Sequence, residues 1–305
     1  MTPSYGPALA AARDAAGMQH YPQPALYLVA TPIGNLADIS LRALHVLQLA
    51  DTIACEDTRH SQALLRAYGI DKAGSALLSL HQHNELVAAA EVVTRLRASQ
   101  RVAYVSDAGT PAISDPGARL VAAVRDAGIA VVAIPGASSV TAAISVAGCM
   151  GQGDADGFVF AGFLPSKAGE RSACIAGLAT ERRAVVLLEA PHRIDDLAQA
   201  LAVLGERPAT VARELTKQFE SITTMPAAAL APWLAADANR SRGEFVVVLH
   251  PAQESEPQGI DTRVLTLLLP ELPLKTAVRL AADISGQSRN SLYTAALALK
   301  AQETK

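Results

Sequence analysis

Short apolar runs alternate with amphipathic stretches along the first two thirds of the chain. Ala25–Ala30, Thr52–Cys55, Leu77–Leu80, Val102–Ser106 and Ala130–Ile134 read as strands, Leu77–Leu80 being the weakest. Helical patterns fill the gaps. Leu41–Leu49 carries a stripe of Leu41, Leu44, Val46 and Leu47; a second helix runs through Leu64, Leu65 and Tyr68 and stops at Gly69. A third spans Leu86–Leu96, and a fourth begins after Pro116-Gly117 and ends at Gly128. This rhythm predicts a parallel, doubly wound sheet with helices on both faces.

The pattern changes at Gly148–Gly157, a glycine-rich stretch that reads as a linker or surface loop. Beyond it, Phe158–Ala161, Ala184–Leu188, Ala209–Ala212, Ser221–Thr224 and Phe245–Leu249 read as strands, with few convincing helices between them. A mixed sheet in a second α/β lobe is expected. A polar, proline-containing linker follows at 251–260, and 261–305 reads as helical. There Ala282, Gly286 and Leu292 fall where a helix-turn-helix needs a small residue, a turn glycine and a core residue. Ser288 caps the second helix and places Arg289 and Asn290 in its first turn. An ordinary helical hairpin would carry the same pattern.

Composition narrows the class. The 305 residues are 50% hydrophobic, ample for sizeable cores, and too apolar for a disordered chain. No apolar run approaches the ~20 residues needed to cross a bilayer, so no membrane role is expected. The net charge of −3 excludes a polybasic nucleic-acid binder but leaves room for a local basic face. The segment 261–305 is such a case, with six basic residues against four acidic ones. Cys55, Cys149 and Cys174 form no C-x-x-C pair, which fits a reducing, cytoplasmic setting. No positively charged stretch followed by an apolar run opens the sequence, so no secretory signal is expected. Residues 1–24 read as a mobile tail, and Met18 is an alternative start.

Open α/β sheets bind ligands outside the carboxyl ends of their strands. Three such ends are rich in glycine, proline and small residues: Thr31-Pro32-Ile33-Gly34-Asn35, Ser106 through Gly117, and Pro135-Gly136-Ala137-Ser138-Ser139. Each loop alone reads first as a structural turn. Three on one edge make a cradle whose main-chain amides a small polar molecule can approach. No G-x-G-x-x-G follows the first strand and no P-loop occurs, so neither a dinucleotide fold nor a P-loop nucleotidase is supported.

These loops, taken in order with Cys55-Glu56-Asp57-Thr58-Arg59, Gly162-Phe163-Leu164-Pro165, Glu189-Ala190-Pro191-His192-Arg193 and Arg213-Glu214-Leu215-Thr216-Lys217, resemble the ribosomal RNA methyltransferase branch of the tetrapyrrole methylase superfamily. The resemblance begins near Leu26 and runs to the C-terminus. It implies a class III methyltransferase fold: two α/β lobes with S-adenosylmethionine between them, plus a small C-terminal helical unit, commonly as a homodimer. It also implies methylation of the ribose 2′-oxygen of a cytidine in the decoding region of 16S rRNA, within the 30S subunit. By motif position it places Pro32, Gly34, Gly109, Thr110, Pro111, Ile113, Pro135, Gly136, Ser138 and Ser139 on the cofactor loops. Thr110 stands where other branches carry Asp. From the second lobe it assigns Leu188, Glu189, Ala212 and Leu215 to the cofactor.

Methyl transfer to a hydroxyl is an in-line displacement that needs no metal. Alignment is expected to contribute more than a general base. The candidate bases are Glu56, Asp57, Glu189 and Glu214, with Lys217 eligible only if its pKa is lowered. Asp57 reads equally well as a helix cap. Arg59, Arg193, Arg213, Lys217 and, in the C-terminal helices, Arg289 are candidate phosphate contacts. His81 and His83 offer too few ligands for a metal; His83 reads instead as part of a polar loop at the cleft mouth that touches RNA. Phe158, Phe160, Phe163 and Trp233 are expected to pack cores, because no basic residues interleave with them. Two alternatives stay open: a porphyrinoid C-methylase, and a ligand-sensing regulator whose C-terminal helices read DNA.

Overall fold

A computed structural model of the protein describes residues 5–81, 83–149, 157–253 and 262–303. They form two compact units, Met1–Ala252 and Gln253–Lys305. Most of the two expected linkers, at 148–157 and 251–260, lies outside the described residues.

The first lobe of the larger unit is a five-stranded parallel sheet. Its strands are β1 (Ala25–Val29), β2 (Thr52–Cys55), β3 (Leu77–Ser79), β4 (Arg101–Val105) and β5 (Ala130–Ile134), in the order β3-β2-β4-β1-β5. Alternate residues of β1 serve opposite faces. Ala25, Tyr27 and Val29 join one core with α2 (Leu41–Leu49) and α3 (Thr58–Ala67). Leu26 joins the other with α4 (Glu85–Arg97) and α5 (Ala118–Asp126). The sheet is covered on both sides, as a parallel sheet requires. The chain leaves β1 toward β2 and leaves β4 toward β5, so the direction of winding reverses between these neighbouring strands. Loops after β1, β4 and β5 therefore converge at a switch point.

The second lobe is the expected mixed sheet. It comprises β6 (Phe158–Phe163), β7 (Ala184–Glu189), β8 (Pro208–Arg213), β9 (Ser221–Pro226) and β10 (Phe245–Leu249), ordered β6-β7-β10-β8-β9 with only β6 and β7 parallel. Helices α7 (Ala168–Leu178), α8 (Ile194–Leu201) and α9 (Leu230–Ala235) cover one face. The other face is covered by α6 (Ser139–Ala147), which leaves the first sheet after β5. Its Val140, Ala143, Ile144 and Ala147 pack on Val186, Ala212, Val246 and Val248. The helix that follows the last strand of the first sheet thus packs on the second sheet.

The N-terminal stretch departs from expectation. Gly6–Ala16 is a helix, α1, whose Ala12 and Ala16 are buried in the core shared with α2. Tyr5 meets Tyr68 edge-on at 5.0 Å, and the Tyr21 hydroxyl donates to the Ala16 carbonyl. An alanine-rich sequence lacks a strong apolar stripe, yet its small side chains allow close helix packing and its propensity is high.

In the smaller unit, α10 (Arg263–Leu268), α11 (Leu274–Ser285) and α12 (Arg289–Glu303) surround a core of Leu265, Val278, Ala281, Ala282, Leu292 and Ala296. Gly286 ends α11 in the left-handed conformation, and the Leu292 amide donates to the Ser288 carbonyl. The expected turn is present, with Ala282 and Leu292 in its core.

Candidate active site

A cleft of about 310 Å³ lies where the two sheets meet. Its first wall is built by the three loops. Thr31 and Gly109 exchange both backbone hydrogen bonds, at 2.9 and 3.0 Å, and the Thr110 hydroxyl donates to the Ala137 carbonyl at 3.1 Å. The loops are thereby tied to one another. Ile33, Gly109, Thr110, Ile113, Ser114, Asp115, Ser138, Ser139 and Val140 face the cavity. Ser138, the N-cap of α6, lines the cavity with Ser139, and its side chain makes no capping bond, so the first-turn amides have no side-chain acceptor from it.

The opposite wall follows from strand register. Val246 of β10 lies opposite Leu188 of β7 on one side and Ala212 of β8 on the other. All three belong to one transverse row and share one face, which lines the cavity. Glu189, Ala190, Pro191, Leu215, Glu244, Phe245 and Phe163 complete it. Val246 and Phe245 escaped the sequence reading, because an apolar strand does not declare which of its residues meets a ligand.

Glu189 is the most constrained polar group here. Its side chain is fully buried. Oε1 accepts from the Ala190 amide at 2.9 Å, and Arg193 Nε lies 3.1 Å away, an ion-pair distance without hydrogen-bond alignment. Oε2 is buried with no partner. A buried carboxylate oxygen without a donor is costly.

Several expected cofactor residues act through packing. Ile33, between Pro32 and Gly34, faces the cavity; Pro32 and Pro111 are buried beside it. A Cβ on Gly34 would meet Lys217 Cγ at 2.5 Å, and the Asn35 amide donates to Thr216 Oγ1, so the first loop is clamped to the second lobe. A Cβ on Gly136 would meet Ala30 Cβ at 3.0 Å. Pro135 is exposed and does not line this cavity.

The candidate bases separate cleanly. Asp57 caps α3, its Oδ1 accepting from the Arg59 and His60 amides. Burial alone would lower the Lys217 pKa, but hydrogen bonds to Glu214 (2.8 Å) and Glu244 (3.1 Å) outweigh it and raise the pKa. The condition for Lys217 to act as a base is not met. Glu214 is held ionised by the same pair: its burial is overcome by the Lys217 hydrogen bond. Glu56 behaves oppositely. Burial, then the charges of Asp115 and Asp107, push it up to about 7. Asp115, which lines the cleft, is also raised, chiefly by burial.

The expected phosphate contacts are sorted by their partners. Arg59 is exposed (93%) near Asp57. Arg213 instead donates to Ser221 Oγ and to the carbonyls of Asn239, Arg242 and Phe219, a loop-holding role. Arg193 bonds the Leu164 carbonyl beside Glu189. Arg289 pairs with Asp283 at 2.9 Å on the outside of its own unit. His83 is exposed, with its ring 6.0 Å from that of His81. Among the described residues no cluster of three metal-ligating side chains occurs. Phe163, expected in a core, is 53% exposed at the cleft.

The family described as tetrapyrrole (corrin/porphyrin) methylases matches residues 25–231, and that described as the RsmI C-terminal HTH domain matches residues 256–300. The chain is 47% identical over 279 residues to ribosomal RNA small subunit methyltransferase I of Neisseria meningitidis, covering 90% of this chain and 94% of that one. It is 46% identical over 280 residues to the protein of the same name from Pseudomonas aeruginosa, covering 89% and 96%. The chain belongs to the tetrapyrrole methylase family, with the ribosomal RNA small subunit methyltransferase I proteins. Solved structures of the family share the fold. A cobalt precorrin-4 methyltransferase aligns with TM-score 0.55 at 18% identity, covering 75% of this chain and 98% of that one. Uroporphyrin-III C-methyltransferase from Thermus thermophilus, complexed with S-adenosylhomocysteine, aligns with TM-score 0.50 at 17% identity, covering 73% and 96%. The matched region takes in the three loops and the second lobe through β9, while β10, with Val246 of the transverse row, lies beyond it.

Proposed function

We propose that this protein is an S-adenosylmethionine-dependent methyltransferase acting on the ribose 2′-oxygen of a cytidine in the decoding region of 16S rRNA. The observation that carries the reading is the cleft walled by both lobes, lined by Ser138 and Ser139 at the start of α6, by Glu189 and by the apolar row of Leu188, Val246 and Ala212. Such a site suits a ligand with cationic or hydroxyl donors at one end, a carboxylate at the other and a flat apolar part between.

When bound, the donor supplies an electrophilic methyl carbon. Ser138 and Ser139 at the α6 terminus would take the carboxylate, and Glu189 a donor group. Leu188, Ala212, Val246 and Ile33 would enclose the apolar part and exclude water. Asp115 stands in the wall with Glu56 behind it. Glu56, pushed up to about 7 chiefly by burial, can take up the proton that a sugar hydroxyl loses on attack, and burial raises Asp115 in the same direction. Arg59, Arg289 and His83 remain the exposed candidates for RNA contact, with the assembled 30S subunit as substrate and a homodimer as the working form. Among the described residues no helix is long and apolar enough to cross a membrane; the cytoplasm as its site of action follows from the ribosomal RNA substrate.

The deciding experiment supplies labelled donor with either 30S subunits or uroporphyrinogen. Label in 16S rRNA at one ribose supports the reading. Label only in the macrocycle replaces it with porphyrinoid C-methylation.

A further inference from the structure

The end of strand β6 is irregular, and the irregularity decides where one aromatic ring goes. Phe158, Val159 and Phe160 pair with Ala184, Val185 and Val186 in step. Val159 and Ala161 pack in the core under α7 and α8, while Phe160 packs on the opposite face. Strict alternation would continue Val159, Ala161, Phe163 into the same core. The register instead slips by one between Phe160 and Gly162, so Gly162 opposes Leu187 and Phe163 opposes Leu188. Gly162 takes φ +63, a left-handed conformation that favours glycine at this step. One extra residue has moved Phe163 from the core face to the face of Leu188, Val246 and Ala212.

The outcome is a half-open aromatic ring in the cleft wall. Leu188, Val246 and Ala212 lie deeper, whereas Phe163 at 53% and Ile113 at 54% exposure are the large apolar side chains left open among the lining residues. Leaving an aromatic face in water forgoes burial energy unless something flat covers it. A ribose 2′-hydroxyl enters a recessed cleft most readily when its nucleotide is splayed out of the base stack, as in single-stranded RNA, and an unstacked base gains from a new stacking partner.

We propose that Phe163 is the platform on which the nucleobase of the acceptor nucleotide stacks, with Ile113 at its edge. The proposal rests on the RNA reading above and adds the subsite that holds the base. Because stacking uses the face of the ring, it tolerates any base and leaves selection to other contacts.

The test uses full-length F163A, F163L and F163Y with assembled 30S subunits. Affinity for S-adenosylmethionine, measured by calorimetry, is expected to stay at the wild-type value in all three. kcat/KM for 30S is expected to fall on the order of tenfold or more in F163A and F163L, and to be retained in F163Y, which keeps the ring. Wild-type activity in F163L would overturn the proposal, because bulk without a ring would suffice. Loss of donor affinity in F163A would also overturn it, by assigning the ring to the donor's adenine. If the wild-type enzyme methylates no ribose in 30S, the functional reading itself fails, and that result is visible before any variant is compared.

Discussion

Thr31 and Gly109 face each other as a two-residue antiparallel bridge, each amide bonded to the other's carbonyl. The bridge joins the loop after β1 to the loop after β4 and holds Ile33 against the cleft. Gly109 sits at φ +79, and a Cβ there would meet Ile33 Cγ2 at 3.2 Å. Gly109→Ala should cost about 1–2 kcal/mol through the left-handed backbone. It should also lower donor affinity by displacing Ile33. Thermal unfolding and donor calorimetry check both, and unchanged affinity would detach this loop from the site.

Glu189→Gln keeps the shape of the side chain but removes its charge. Arg193 then loses its anionic partner, and Oε2, or the amide nitrogen replacing it, no longer offers a charged acceptor. Donor affinity is expected to fall on the order of tenfold, the worth of a charge-assisted hydrogen bond in a buried site. Equal affinity in wild type and variant would remove Glu189 from the donor subsite.

The Glu56 pKa of about 7 is raised from the ordinary 4.5, so the folded protein binds a proton there that the unfolded chain has already lost. The stabilising contribution is therefore full below about pH 4.5 and disappears as pH rises through 7. Glu56→Gln, permanently neutral, should be the more stable protein above pH 7, by roughly 1 kcal/mol once its partial exposure is discounted, and should equal wild type near pH 4.5. Melting curves across this range decide it. A variant less stable than wild type at pH 8 would show that the carboxylate is favourably paired.

Arg59 and Arg213 are expected to respond in opposite ways. Arg59→Ala should weaken RNA binding and reduce the salt slope by about one, with no change in melting temperature. Arg213→Ala removes four hydrogen bonds within the second lobe. It should cost about 2–3 kcal/mol of stability, with RNA affinity of the folded fraction preserved. Salt titrations and denaturation curves on both variants separate the roles, and identical effects would refute the assignment.

Gly34 and Lys217 form the clamp between the first loop and the second lobe. Gly34→Ala alone should destabilise, since its methyl would overlap Lys217 Cγ. In a Lys217→Ala background that overlap is gone, so the two substitutions should couple favourably by on the order of 1 kcal/mol. Simple additivity in a double-mutant cycle would show that the loop moves freely at no cost.

The βα rhythm, the three glycine- and proline-rich loops and the C-terminal helix-turn-helix were legible along the chain. Each depends on a local period or on residues that punctuate it. Gly109, Thr110, Ser138 and Ser139 could be placed at the site for the same reason: they follow strands, and strand ends converge. Arg213 shows where that logic stops. Its sequence neighbourhood suits a phosphate contact, but the carbonyls of Asn239 and Arg242 arrive from a distant loop and consume its donors.

By itself, then, the amino-acid order determined which segments pair, which turns are tight and which residues can do chemistry, because propensity and periodicity act over a few neighbours. Only the tertiary structure decided that Val246 joins Leu188 and Ala212 in one wall, that α1 packs where a tail was expected, and that Phe163 faces the cleft. The reason lies in parity and proximity. A single extra residue in β6 reverses which face a side chain occupies, and cross-strand register brings together residues that no local pattern relates.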